Sequence, residues 1–280
     1  MSLDIHLDAL IPQQIAEKVE AAGVRKAALP LLSLFVLAIL AGAFIGLGAM
    51  FATTTAAAAS ALPYGVARLL VGLTFCLGLI LVVVAGAELF TGNNLIVMAW
   101  ASRKISTWAL LRNWLVVYLG NFIGSLGTAV LVFLSRQYTA GAGSVGEAAL
   151  STAAAKVDLG FVQALALGVL CNGLVCLAIW LTFSARSVTD KILAILFPIT
   201  AFVAAGFEHS IANMYFIPYA LLIRTFDTTF VTTRAIDLTN LTWGAFFLKN
   251  LLPVTIGNIL GGAGLVAAVY WFIYQRGKKR

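Results

Sequence analysis

Six long apolar stretches dominate this sequence and limit what it can fold into. A helix needs roughly 20 consecutive apolar residues to cross a bilayer, and each stretch reaches that length. We expect spans at residues 31–54, 67–101, 109–134, 161–183, 192–223 and 246–274. The chain is therefore predicted to be an all-α polytopic membrane protein with six transmembrane helices.

The composition supports this class and excludes others. Hydrophobic residues make up 61% of the chain and charged residues 10%, whereas soluble domains carry about 25% charged residues. The net charge of +7 does not indicate nucleic-acid binding, because the basic residues lie at the ends of apolar runs and not in one patch. The three cysteines lie within apolar runs and form no CxxC motif, so neither a metal site nor a cofactor is predicted.

Two of the spans contain the same motif. The stretch 67–101 contains GAELFTGN at residues 86–93, and the stretch 192–223 contains GFEHSIAN at residues 206–213. Both read Gly-x-Glu-x4-Asn, and both spans are too long for one simple crossing. Non-helical backbone at membrane depth is tolerated only where it is buried in protein or lines a cavity. Helices 2 and 5 are therefore predicted to be broken at these motifs.

A second shared pattern extends the repeat to the third and sixth spans. The matching residues are Asn113, Gly120, Asn121, Gly124 and Gly127 with Asn250, Gly257, Asn258, Gly261 and Gly264. Three spans per copy is an odd number, so the second copy enters the membrane from the opposite face. This predicts two inverted three-helix repeats, with a transport site near mid-depth. The expected domain is residues 30–275, with repeats at about 30–136 and 159–275.

The two ends of the chain are polar. Residues 1–29 alternate apolar and charged side chains, among them Leu3, Asp4, Ile5, Leu7 and Asp8, which predicts amphipathic surface helices broken near Pro12. Residues 276–280 form a basic tail. An even number of spans places both ends on one side, which holds twelve basic residues against six on the other. The positive-inside rule therefore predicts that both termini are cytoplasmic.

Inversion gives the centre of the membrane a positive potential. The second halves of both broken helices would start at mid-depth, where their N-termini present free N–H groups and partial positive charge. Such ends bind anions. Glu88 and Glu208, with Asn93 and Asn213, occur in both copies and are expected to hold the interrupted backbone. His209 has no counterpart, which favours a proton-handling role for it.

These residues make the chain resemble the formate/nitrite transporter family, and most closely its formate channels. The resemblance covers about residues 30–275 and is carried by AGAELFTGNN (85–94), NWLVVYLGNFIGS (113–125), GVLCNGLVCLAIW (168–180), AGFEHSIANMYFIP (205–218) and NLLPVTIGNILGG (250–262). It implies an aquaporin-like six-helix protomer, a homopentamer with one pore per subunit, and a location in the bacterial inner membrane with lipid around it.

The resemblance also implies roles for particular residues. Thr91 would hydrogen-bond His209, and Asn172 would line the pore beside it. Lys156 would attract anions to the outer mouth. The remaining pore residues fall into two narrow passages, an outer one formed by Phe75, Leu79 and Phe202 and an inner one formed by Phe90 and Val175 with His209.

The expected function is transport of a small monovalent weak-acid anion, with formate as the first candidate and nitrite, acetate and hydrosulfide as further candidates. His209 would lower the barrier either by pairing with the anion or by lending it a proton, and the sequence leaves both open. A neutral-solute pore is a weaker alternative, because the Asn-Pro-Ala loops of aquaporins are absent. An intramembrane serine hydrolase using His209 and Ser210 is disfavoured, since no G-x-S-x-G motif is present, and no enzymatic activity is predicted.

Overall fold

The computed structural model describes residues 9–57 and 59–277, and these are helical with no β-strand among them, which confirms the predicted all-α class. The α-helices are α1 Pro12–Ala27, α2 Leu31–Ala56, α3 Tyr64–Leu81, α4 Phe90–Asn93, α5 Val97–Ala101, α6 Thr107–Leu134, α7 Ser144–Val157, α8 Phe161–Ser184, α9 Val188–Ala204, α10 Ser210–Phe226, α11 Thr228–Thr232, α12 Trp243–Ala245, α13 Leu252–Ile259 and α14 Val269–Tyr274. Wider π-helical turns at Val82–Gly86, Phe246–Leu251 and Leu260–Ala268 continue three of them.

Five continuous helical segments in the described residues are long and apolar enough to cross a membrane. They are Leu31–Ala56, Tyr64–Gly86, Thr107–Leu134, Phe161–Ser184 and Trp243–Tyr274. The predicted span at 192–223 is instead divided between α9 and α10, of 17 residues each. Together with the family relationship reported below, these segments make the chain a multi-pass membrane protein.

Glycine ends the helix at both shared motifs. Gly86 has φ +83° and Gly206 has φ +76°, a left-handed conformation that glycine adopts without the steric penalty of a Cβ atom. The residues that follow are extended, with φ −141° and ψ 165° at Ala87 and φ −111° and ψ 112° at His209. Helical structure resumes at Phe90 and Ser210. The chain therefore presents short non-helical segments, 87–89 and 205–209, inside the bundle.

The helices pack closely through small residues. Helix α2 lies against α3 and α6, and α8 lies against α9 and α13. Apolar burial adds little to helix association in lipid, so close backbone approach through glycine and alanine becomes important. Gly48 of α2 is such a point, because a Cβ atom there would lie 2.7 Å from the backbone nitrogen of Gly78 and 2.8 Å from the carbonyl oxygen of Phe75.

Helix α1 packs against the bundle. Its apolar side buries Ile15, Ala16 and Val19 in one cluster with Met98 and Trp180. The expected amphipathic residues Leu3, Asp4, Ile5, Leu7 and Asp8, and the tail residues Lys278, Lys279 and Arg280, lie outside the described part of the chain.

Polar contacts through Glu20, on the same buried face, also fix α1. The Ser102 hydroxyl donates to Glu20 Oε2 at 2.5 Å, and the Lys104 ammonium pairs with the same carboxylate. The indole nitrogen of Trp271 donates to Ser102 Oγ at 3.0 Å. The N-terminal helix is therefore tied both to the segment after α5 and to α14.

We expect Gly48→Ala to lower the thermal unfolding midpoint of the detergent-solubilised protein. Overpacking a tight site costs about 1–3 kcal/mol, which outweighs the roughly 1 kcal/mol gained by replacing a helical glycine with alanine. Gly127→Ala is the matched control, because a Cβ at Gly127 meets nothing within 4 Å. Equal midpoints for the two variants would contradict the close packing at Gly48.

Candidate functional site

The two non-helical segments bring Thr91 and His209 together. Thr91 Oγ1 lies 3.1 Å from His209 Nε2, and both side chains are buried. His209 is also the N-cap of α10, where its Nδ1 accepts a hydrogen bond from the backbone N–H of Ala212 at 3.1 Å. A neutral imidazole has one donor and one acceptor nitrogen. Because Nδ1 accepts, we assign the proton to Nε2, which donates towards Thr91.

Asn172 holds the backbone of Thr91. Its Nδ2 donates to the carbonyl oxygens of Asn258 at 2.7 Å and Thr91 at 3.3 Å. The thiol of Cys176, one turn further along α8, donates to the same Thr91 carbonyl at 3.3 Å. Space for the Asn172 amide comes from Gly262, where any Cβ atom would collide with Nδ2. The threonine hydroxyl is therefore positioned from α8.

Aromatic rings line one side of the histidine. The rings of Phe202 and His209 are stacked with centroids 5.9 Å apart, and Phe75 meets Phe202 edge-on at 5.7 Å. Leu79, one turn after Phe75, is buried in the same apolar cluster. The structure thus brings Phe202, one of the three residues predicted to form the outer narrow passage, into contact with His209 and packs Phe75 against Phe202.

Phe90 and Val175, expected to form the inner passage with His209, are also buried in this cluster. Among the described rings, those in contact with Phe90 belong to Tyr118, with centroids 4.9 Å apart, and Trp114, at 6.1 Å. Tyr118 in turn hydrogen-bonds Thr255 through its hydroxyl at 2.9 Å. Phe90 is therefore held mainly by α6.

A buried polar cluster holds the segment before α4. Glu88 Oε1 accepts from the Lys26 ammonium at 2.8 Å, and Glu88 Oε2 accepts from Asn93 Nδ2 at 2.7 Å. Lys26 also donates to Asn93 Oδ1 at 3.0 Å, and Asn113 Oδ1 accepts from Asn93 Nδ2 at 2.9 Å. Each oxygen of the buried carboxylate thus has a partner, as a buried charge requires.

An equivalent cluster holds the segment before α10. Glu208 Oε1 accepts from the Lys156 ammonium at 2.6 Å. Glu208 Oε2 accepts from Asn213 Nδ2 at 2.7 Å and from Asn250 Nδ2 at 3.0 Å. Asn213 and Asn250 are also bonded to each other at 2.7 Å. The side chain of Lys156 is only 15% exposed.

Two further asparagines complete these clusters. Asn121 Nδ2 donates to the carbonyl of Glu88 at 2.9 Å, and its Oδ1 accepts from the backbone N–H of Phe90 at 2.9 Å. Asn258 makes the same pair of bonds, with the carbonyl of Glu208 and the N–H of Ser210, also at 2.9 Å each. Each asparagine therefore replaces the backbone hydrogen bonds that the interruption removes.

Sequence reasoning missed the role of Lys26 and of these two asparagines. The repeat pattern includes Asn121 and Asn258 but does not indicate what they bond. Lys26 lies 130 residues before Lys156. The same spacing separates Ala38 from Gly168, and the carbonyl oxygens of these two residues accept hydrogen bonds from Asn121 and Asn258. An alignment of the first and fourth spans at that spacing would have found it.

Two cavities flank the Thr91–His209 pair. The first, of about 590 Å³, is lined by Lys26, Glu88, Gly92 and Asn93 among others, and we call it the Glu88 cavity. The second, of about 430 Å³, is lined by residues that include Phe75, Lys156, Phe202, Glu208 and His209, and we call it the Glu208 cavity. The histidine therefore lines one cavity, while the residues directly after Thr91 line the other.

Comparison with known proteins points to one family. A family model described as formate/nitrite transporter matches residues 13–272. The chain is 45% identical to the formate channel FocA of Escherichia coli K12, with 99% of this chain and 98% of the relative covered. It is 42% identical to the formate channel FocA of Haemophilus influenzae, with 91% of each covered.

Solved structures agree with the sequence comparisons. A structure described as a pentameric formate channel with formate bound matches with a TM-score of 0.82 and 45% identity, covering 88% of this chain and 98% of that one. An ion channel of the same family matches with a TM-score of 0.80 and 31% identity, covering 93% and 98%. The resemblance seen in the sequence is confirmed: the chain belongs to the formate/nitrite transporter family.

Proposed function

We propose that this protein is a membrane channel for small monovalent weak-acid anions, with formate as its main substrate. The observation that carries the proposal is the Thr91–His209 pair, buried between two cavities and flanked by apolar rings. The relatives described as formate channels support formate as the substrate. Nitrite and hydrosulfide remain the alternative substrates within the family.

The proposed architecture is two inverted repeats of three spans, with the second and fifth spans broken. The matched clusters support it, because Lys26, Glu88 and Asn113 correspond to Lys156, Glu208 and Asn250 in residue type, and the lysine pairs with the glutamate in both. Asn113 also donates to the backbone carbonyl oxygen of Lys26 at 3.1 Å, and Asn250 donates to that of Lys156 at 2.9 Å. These lysines lie in α1 and α7, so we extend each proposed repeat to include the helix that precedes its first span.

We further propose that the protomer assembles as a homopentamer in the bacterial inner membrane, surrounded by lipid, with both termini cytoplasmic. The solved formate channel that matches this chain is described as pentameric. The excess of basic residues at one set of span ends supports the orientation. Each protomer holds its own pair of cavities, so each would carry one pore.

The central histidine acts on the charge of the anion. Removing a bare ion from water into apolar surroundings costs several kcal/mol even after the protein relaxes. A donor N–H in the apolar passage offsets part of that cost, since a hydrogen bond to a charged group contributes about 1.5–3 kcal/mol. Nε2 of His209 carries such a proton, and its N–H would hydrogen-bond a passing carboxylate in place of Thr91 Oγ1.

The capping bond favours one of the two modes of action that the sequence left open. Lending a proton to formate requires a ring protonated on both nitrogens, because a neutral ring would be left as an imidazolate. A doubly protonated ring has no acceptor for the Ala212 N–H, whose bond to Nδ1 now caps α10. The geometry therefore supports hydrogen bonding to the anion, with proton transfer requiring the cap to break.

The experiment that tests this function measures flux of formate, nitrite, acetate and hydrosulfide into liposomes containing the purified protein, across a range of pH. We expect formate to be transported fastest and water and glycerol flux to stay at the level of empty liposomes. Flux of water or glycerol without anion flux would replace this proposal with a neutral-solute pore.

We expect His209→Phe to lower formate flux at neutral pH by roughly 10- to 100-fold, the loss of one charged hydrogen bond. The remaining flux should rise more steeply as pH falls, because only neutral formic acid crosses an apolar passage easily. The variant also removes the helix cap, so His209→Asn is the matched control, since asparagine restores a capping oxygen without the ring Nε2–H. An unchanged pH profile in both variants would contradict the role of His209.

We expect Lys156→Met to destabilise the protein more than Lys26→Met. Removing one partner of a buried ion pair costs about 3–5 kcal/mol, and Glu208 would be left at 4% exposure. The Lys26 side chain is 32% exposed, so water partly replaces it beside Glu88. Thermal unfolding in detergent checks the order, and Lys156→Met with Glu208→Gln should recover part of the loss. If the Lys26 variant unfolds first, Lys156 is not the main partner of Glu208.

A further inference from the structure

The Glu88 cavity carries more positive charge than its polar cluster needs. Its lining includes three basic side chains, Arg25, Lys26 and Lys191, and one carboxylate, Glu88. Lys26 is paired with Glu88 at 2.8 Å, so the two charges balance. The net charge of +2 in this cavity therefore comes from Arg25 and Lys191.

These two side chains have no partner among the described residues, since neither makes a side-chain hydrogen bond or an ion pair there. Arg25 is exposed in the last turn of α1, and Lys191 is half-buried in the first turns of α9. Asp190, the neighbour of Lys191, accepts backbone hydrogen bonds from Arg186 at 3.0 Å and Ser187 at 2.9 Å. Those bonds lower the pKa of its carboxyl group, and Asp190 does not line the cavity.

The Glu208 cavity differs in this respect. Its basic lining residues are Arg68 and Lys156, against one carboxylate, Glu208, which pairs with Lys156. The Arg68 guanidinium donates to the carbonyl oxygens of Val203 at 2.5 Å and Ala204 at 3.0 Å, so it caps the C-terminal end of α9. The net charge is +1, and the group that carries it is already engaged.

We propose that Arg25 and Lys191 are the anion-collecting pair of the Glu88 cavity, which concentrate formate at its mouth without holding it in the pore. The inference rests on the proposed function. A cleft lined by one sign of charge between low-dielectric walls focuses the field and raises the local concentration of the oppositely charged substrate. Lys26 contributes little to this field, because its charge is balanced at contact distance by Glu88.

Basic residues at span ends also contact lipid headgroups, so the test needs a charge of the same kind outside the cavity. Lys18 lies two turns earlier on α1, is exposed, and does not line the Glu88 cavity. Lys18→Gln removes one positive charge from the same helix and serves as the control for Arg25→Gln. Arg25→Lys retains the charge and should behave as the wild type.

The experiment compares formate flux through wild type, Arg25→Gln, Lys191→Gln and the double variant in phosphatidylcholine liposomes. The first condition is an ionic strength of about 0.01 M, where the Debye length is about 30 Å. There we expect the formate flux of the double variant at limiting formate to be roughly 10-fold lower than that of wild type. At saturating formate the flux should stay close to that of wild type. At about 1 M salt, where the Debye length is about 3 Å, the difference should disappear.

Three results would overturn the collecting role. They are a double variant that matches Lys18→Gln at low ionic strength, a loss that is equal at limiting and saturating formate and independent of salt, and a failure of Arg25→Lys to behave as wild type. Wild-type protein that moves no formate would instead overturn the proposed function itself. The two failures are therefore distinguishable in one series of measurements.

Discussion

The structure depends on two buried polar clusters, in each of which a carboxylate binds a lysine and asparagine side chains and a further asparagine replaces the missing helix hydrogen bonds. A helix interrupted inside a membrane leaves backbone groups without water to satisfy them. Glu88 and Glu208 gather asparagine amides and a lysine at each interruption, and Asn121 and Asn258 bond the backbone on both sides of the gap. A lone ionised carboxylate in this position would cost far more than it contributes. The lysine, the glutamate and the asparagines are therefore stable only as a set.

This support determines what the centre of the protein does chemically. Because polar groups elsewhere hold the interrupted segments, the proposed passage is free to be apolar, with Phe202 stacked on His209. The N–H of Ala212 holds the ring at Nδ1 and leaves Nε2–H as the donor. A single oriented donor within an apolar wall would hydrogen-bond an acceptor oxygen of the anion. The free-energy barrier to the anion would then be lower than in a purely apolar passage.

Much of this arrangement was predictable from periodicity and motif. Runs of apolar residues predicted the helices, and the Gly-x-Glu-x4-Asn motif indicated where two of them stop, because glycine at positive φ and a buried glutamate are both costly in a continuous span. The pairing of Lys26 with Glu88 was not predictable in this way. The two residues lie 62 positions apart in different helices, and the spacing between repeats differs from span to span. Charge balance in the cavities depends on such pairings, so Lys156, expected to attract anions, proves to be bonded to Glu208.

The difference between the two proposed repeats explains why the chemistry lies at one point. At a spacing of 120 residues, which relates Glu88 to Glu208, the counterpart of His209 is Leu89 and the counterpart of Thr91 is Ile211. Leu89 and Ile211 are both buried and apolar. A fully symmetric pore would place a second Thr–His pair across the pseudo-two-fold axis. Conduction requires that the anion bind weakly enough to leave the site. Two donors would hold the anion too tightly for rapid release. Keeping the supporting clusters in both proposed repeats and the donor in only one would therefore give a symmetric scaffold with a single, weak anion contact.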